Sequence, residues 1–339
     1  VTVNSTALAD GSNGGLASNY SLASGQTAAA TIAPKALTIS GTTVANKAYD
    51  GKATATLLGG TLNGLVATET LALAGQSASF ADKNVGAGKT VTVTGTRLAN
   101  GTGLASNYSV SNPTGLVADI ARLAAVTWVG GSSGSWFDAA NWAGGAVPDL
   151  ANVATVVIPA GVTVTFNNGT VNLDAIGSSG SLSVLDGSLN VAATVQLASL
   201  AQSGGVITSG AIKVGSFSQS GGSLTSSGAL TVTDAYRQSD SAASIKVAGK
   251  VDLSQASGSA LLGNISSAGT LGVTAVDGNI SQLAGTTIVS AGGTLSAPKG
   301  TVSLAASGNS LGAMTINAGT GAPASADSAS EIRQQNAVA

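Results

Sequence analysis

The chain of 339 residues carries 47 glycines, only 8% charged residues, and neither cysteine nor histidine. This excludes a disulfide framework, a zinc site of the usual donors, and any catalysis that needs an imidazole base. With 13 basic against 15 acidic residues, no basic cluster and no run of 18 apolar residues, it offers neither a phosphate-binding surface nor a membrane span.

The first 20 residues, VTVNSTALADGSNGGLASNY, return as VTVTGTRLANGTGLASNY at 91–108, placing Tyr20 and Tyr108 88 positions apart. A unit of about 85 to 90 residues follows, and a repeat fixes the modular plan before any element is assigned. Residues 1–35 read as the C-terminal part of one copy and residues 36–121 as a complete one. Within the complete copy, Leu37, Ile39, Val91, Val93, Val117 and Ile120 stand in short alternating or β-branched runs split by Gly, Asn and Asp. That pattern predicts a small antiparallel β module. Tyr20, Tyr49 and Tyr108 recur with the repeat and are expected to anchor the module cores.

The strings AYDGKATATL, FADKNVGAGKTVTVTG and NYSV resemble, in order and spacing, the YDG (MBG-type) repeat found in tandem in filamentous haemagglutinin-like, two-partner-secretion bacterial exoproteins. The resemblance implies a surface-exposed or released adhesin stalk exported through an outer-membrane partner transporter. The chain opens with VTVNSTALADG, inside a repeat, rather than with a basic and then apolar leader, so a fragment or processed product is expected. Absent cysteine fits either a reducing cytosol or export; scarce glutamate, at Glu69 and Glu331 only, and few lysines favour export to the cell surface or medium.

Residues 122–169 hold the chain's only tryptophans, Trp128, Trp136 and Trp142, in WVGGSSGSWFDAANWAGGAVPD. Three indoles so close together predict a local core or cap that opens the next module, with a carbohydrate-stacking platform as the alternative. The continuation PDLANVATVVIPAGVTVTF resembles the segment that opens β-helical stretches in the same exoproteins and in autotransporter passengers.

From 170 to 320, Gln202, Gln219 and Gln238 recur at steps of 17 and 19, each step holding apolar pairs split by Gly/Ser turns. Coils of this length predict a right-handed parallel β-helix of stacked rungs about 4.8 Å apart. A Greek-key sandwich is the alternative. Outward threonine ladders would suggest ice binding, yet VTVTF at 162–166 is nearly the only such string. The polar stretch 321–339 reads as a flexible tail, or as one helical turn at EIRQQNAV capping the last rung.

The chemical motifs are weak. GGSSG at 130–134 fits a nucleophile elbow at Ser132, but no histidine exists to activate it. GAGKT at 86–90 resembles a phosphate loop, but Lys83 replaces its first glycine and VTVTG follows as a strand. Asp174, Asp186, Asp234, Asp240, Asp252 and Asp277 are too unevenly spaced for a glycosidase or lyase groove. Asp50 and Asp119 suit turns better than a metal. Asn-x-Ser/Thr sequons begin at Asn4, Asn19, Asn107, Asn168, Asn264 and Asn279, and glycosylation there is an implication of the resemblance.

No catalytic residue, cofactor or metal is therefore expected. An adhesive or biofilm-matrix stalk with an unidentified glycan or protein receptor leads, ahead of a self-assembling filament subunit and of a polysaccharide-degrading enzyme.

Overall fold

The computed structural model describes residues 7–23, 27–304 and 306–319, with the backbone of two short strands, Ser325–Ala326 and Ile332–Gln334. The fold is all-β: a small β module comes first, and a parallel β-solenoid of about eight turns follows. Helical residues among those described sit in short 3-10 turns such as Ala105–Asn107. Among the described residues no helix is long and apolar enough to cross a membrane.

Two compact units cut across the segments read from the sequence. One draws on Val1–Val44, Thr56–Ala78 and Thr92–Leu116, the other on Ala45–Ala55, Ser79–Val91 and Val117–Ala339. The solenoid's unit therefore includes part of the repeat.

In the first unit, strand Lys35–Ser40 has two kinds of neighbour. Lys35–Leu37 pairs in parallel with Tyr108–Val110, and Thr38–Ser40 pairs antiparallel with Thr61–Asn63. Arg97–Asn100 runs antiparallel to Leu71–Ala74. The module is thus mixed rather than purely antiparallel, because parallel partners need long connections and leave no hairpin signature in the sequence. Leu37 and Tyr108 are buried, and the Tyr108 hydroxyl donates to Glu69 while accepting from the Val66 N–H. Tyr20 ends the equivalent turn, Ala17–Asn19, yet is 70% exposed. Among the described residues it anchors no core.

The second unit opens on strands of a five-stranded sheet, ordered Lys47–Ala48, Leu116–Ala121, Gly86–Thr94, Ser77–Phe80 and Thr54–Ala55. Its buried residues Tyr49, Phe80, Val91, Ala118 and Ile120 are aromatic, β-branched or small, as a tight pleated core requires.

The parallel ladder starts at Leu123, not at residue 170. Leu123–Thr127 pairs in parallel with Val153–Val157, and Ser133–Ser135 with residues 163–165, so the tryptophan-rich segment is wound into the stack. Strands then follow on three faces. On the first, the buried column runs Val126, Val156, Ile176, Val195, Ile212, Leu230, Val251, Leu271. On the second it runs Val164, Leu182, Leu200, Phe217, Tyr236. On the third it runs Val171, Leu189, Ile207, Leu224, Ile245, Ile265, Ile288.

Period-two alternation sends these side chains inward and their neighbours outward. The uniformly parallel pairings replace the sandwich alternative. Corners demand glycine where coils touch: Gly205 and Gly222 have φ of +65° and +73°, and a Cβ on either would lie about 2.5–2.6 Å from a carbonyl oxygen of the coil beneath. The tail reading at 321–339 lies outside the described residues except for two strands, where Ile332–Gln334 extends the ladder from Met314–Ile316 instead of forming a helical turn.

Candidate functional site

The YDG string and the tryptophans meet in one place, within the second unit. Val129 N–H bonds to the Asn141 carbonyl, and Trp128 and Trp142 form an isolated antiparallel bridge, folding the segment back on itself. The indoles then nest edge to face: centroids of Trp128 and Trp142 lie 5.2 Å apart at 88°, those of Trp136 and Trp142 5.2 Å apart at 67°. Trp136 also meets Phe166 at 5.6 Å, which places it above the interior column that continues through Val184.

Each indole N–H has a backbone acceptor: Gly131 for Trp128, Pro148 for Trp136 and the Trp136 carbonyl for Trp142. All three rings are buried, so they are a core cluster closing the first coil, and the sugar-stacking alternative is corrected: no indole face is open to a sugar ring.

On this cluster sits the turn Tyr49-Asp50-Gly51. The Tyr49 hydroxyl lies 3.2 Å from Asp149 and 3.3 Å from the Val147 carbonyl, and Lys83 reaches both Tyr49, at 3.2 Å, and Asp149, at 2.9 Å. Asp50 accepts from the Lys52 N–H at 3.0 Å, an Asx turn, and from Lys47 at 2.8 Å. Gly51 has φ of +74°, and a Cβ there would lie 2.5 Å from the Gly145 carbonyl oxygen, so only glycine fits. Asn152 completes the seam: its Oδ1 accepts from the Val85 N–H at 2.9 Å and its Nδ2 donates to Asn84 at 3.0 Å. Each letter of the motif thus has a physical task in joining sheet to solenoid.

Burial chiefly, with Asp149 adding to it against Lys83, pushes the Tyr49 phenol above its ordinary value. For Lys83 burial pulls downward, but hydrogen bonds to Asp149 and Tyr49 outweigh it and raise the ammonium. Burial of Asp50 is likewise outweighed, here by Lys47 and the Lys52 N–H, which hold its carboxyl below the usual range. These are the marks of a satisfied ionic clasp.

The remaining candidates are dispersed. Ser132 lies in an exposed turn whose carbonyl accepts from Thr163, and GAGKT belongs to strand Gly86–Thr94, not to a loop opening a helix. Asp174 pairs with Arg122, Asp252 with Lys250 and Asp277 with Lys299, while Asp186 and Asp240 cap their own turns. Asp119 accepts from Gly88 across the sheet. Among the described residues no three of His, Cys, Asp and Glu gather into a metal-binding group.

Two surface features of the solenoid escape a motif reading. Along the second face, outward residues stand in register in two rows: Ser133, Thr163, Ser181, Ser199, Ser216 and Ser135, Thr165, Ser183, Ala201, Ser218. The signal in the sequence is the recurring S-x-S or T-x-T string (SGS, TVT, SLS, SFS), in which serine stands where a threonine ladder was sought. Beside the third face runs an open groove of about 670 Å³, lined by small residues including Thr208, Thr225 and Ser266, with Lys246 as its one charge.

Fold and seam together define a parallel β-solenoid joined to a small repeat module. Residues 33–115 match the profile of the YDG domain family, so the chain contains a YDG domain. No curated protein and no solved structure matches the chain.

Proposed function

We propose that this chain is a structural and adhesive segment of a filamentous haemagglutinin-like, two-partner-secretion surface exoprotein that attaches cells to extracellular polymers. The observation that carries the reading is the double row of outward side chains on the second face, hydroxyl-bearing at every position but Ala201 and held in register by hydrogen-bonded coils. Hydroxyls about 4.8 Å apart along the stack offer many weak hydrogen-bonding sites to a hydroxylated polymer, and weak sites engaged together gain avidity. A cysteine-free chain whose coils need only their neighbours also suits passage through an outer-membrane transporter before folding. In this reading the chain is extracellular and performs no catalysis.

Beads coated with the chain test it. They should attach under flow to polysaccharide-coated glass, and Ser181→Glu, Ser199→Glu and Ser216→Glu together should lower attachment several-fold without changing Tm. Equal attachment by both proteins contradicts the hydroxyl face, and release of sugar reducing ends from the coating contradicts the non-catalytic assignment. Bead clumping without surface attachment favours homotypic assembly instead.

A further inference from the structure

The open groove beside the third face is built from two rows that rise together, one residue per coil. The first is Thr208, Thr225, Lys246, Ser266 and Val289, each paired in register with the next, so the row spans about 19 Å. The second, Ala192, Gly210, Ser227, Ala248 and Ala268, holds no side chain longer than serine, and this leaves a trough of about 670 Å³. That is the size of a small-molecule site.

The backbone has nothing free to offer there. Ser227, Ala248 and Ala268 donate their N–H groups to the Ser209, Ser226 and Val247 carbonyls of the coil before, so the groove has no open strand edge for a peptide to extend. The buried lining serines Ser226 and Ser267 turn their hydroxyls onto the Gly210 and Gly249 carbonyls. Ser209, on the same wall and 3% exposed, has a hydroxyl with no partner among the described residues. An unpaired buried hydroxyl costs stability, and one kept on the wall of a groove points to a ligand that pairs with it.

Lys246 is an independent sign. No acidic side chain lines the groove, and the Lys246 ammonium has no ion pair among the described residues, whereas Lys250 and Lys299 of the same solenoid are held by Asp252 and Asp277. Charge complementarity calls for an anion, and one ammonium along six coils matches one negative charge rather than a polyanion. Thr208, Thr225 and Ser266 add hydroxyls at the coil spacing beside the alanines. Sugars combine apolar C–H faces with hydroxyl edges in this way, while a fatty acid would leave those hydroxyls and Ser209 unmet.

We propose that the groove binds an extended, sparsely charged glycan. Neutral sugars lie along the alanine row, their hydroxyls meet Thr208, Thr225, Ser266 and Ser209, and one uronate carboxylate sits on Lys246. The site shares no residue with the hydroxyl rows of the second face and does not rest on them.

Titration calorimetry of the whole chain with short oligosaccharides of gellan, whose repeat carries one glucuronate among neutral sugars, tests this. Saturable binding is expected. Lys246→Gln and reduction of the glucuronate carboxyl to an alcohol should each weaken it about tenfold, and the two together no further. Ala248→Trp, at an exposed position, should abolish binding with Tm unchanged, and Ser209→Ala should weaken it several-fold while raising Tm. The chain with Ser181→Glu, Ser199→Glu and Ser216→Glu should bind as the native chain does. No binding, equal binding of the reduced sugar, or indifference to Ala248→Trp overturns the proposal. Tighter Lys246-dependent binding of dextran sulfate or of palmitate overturns it in favour of a polyanion or a lipid, and loss of binding in the triple glutamate chain overturns it by moving the sugar to the second face.

Discussion

Single side chains in this protein are set by whether a buried polar atom finds a partner. Ser226 and Ser267, inward on the third face, donate to the Gly210 and Gly249 carbonyls of neighbouring coils, at 3.1 and 2.9 Å. Ser209, in the same column and 3% exposed, has no partner for its hydroxyl among the described residues. Ser209→Ala removes that desolvated group and should stabilise the chain by about 1 kcal/mol in a denaturant titration. Tyr49 makes the opposite case. Its phenol is held above its ordinary value, so the stabilisation it brings is complete below the unfolded value of about 10 and is lost as pH rises through the higher folded value. Tyr49→Phe should therefore lower Tm at pH 8, and the gap to the native chain should narrow above about pH 10. A gap constant to pH 11 would show that the phenol is not coupled to folding. The sequence marked Tyr49 as a core anchor but gave no sign of Asp149, 100 residues away, because a long-range hydrogen bond leaves no local period.

Among elements, the stacked glutamines show what periodicity conveys and what it hides. Gln202, Gln219 and Gln238 stand out in the sequence at steps of 17 and 19 and mark the coil length. In the structure they are buried in one inward column: Gln219 donates to Gln202 at 3.0 Å, and Gln238 to Gln219 at 2.9 Å. The column below is Val184, and spacing alone could not say that these polar residues point inward. Gln219→Leu strands two buried partners and should cost about 2–3 kcal/mol in urea titrations. Replacing all three with Leu removes those stranded partners, so it should cost less than the sum of the single changes. Strict additivity would mean that the ladder bonds carry no coupling. Alternation made the valine and leucine runs readable as strands, whereas the start of the stack at Leu123 was hidden because the tryptophan segment breaks the period with 3-10 turns at Ala139–Asn141 and Ala143–Gly145. Parallel pairings inside the YDG module were hidden for a similar reason, being closed by long loops.

At the scale of the whole molecule, the stack of coils is built from contacts with the next coil along, each strand pairing in parallel with its successor on the same face. Proteins of this construction gain strength by adding neighbours. The claim beneath the whole account is that residues 123–318 wind into parallel coils, one rung per turn. Because the chain lacks cysteine, spin labels can be placed without background. Outward residues Thr165, Ser183, Ala201, Ser218, Arg237, Leu261, Ser281 and Ser303 follow one another in register along one face. Label pairs at Thr165 and Arg237, Thr165 and Ser281, and Thr165 and Ser303 should give distances near 19, 29 and 34 Å, rising by about 4.8 Å per turn. Distances that fail to rise in that order, or that cluster about one value, would contradict the stack.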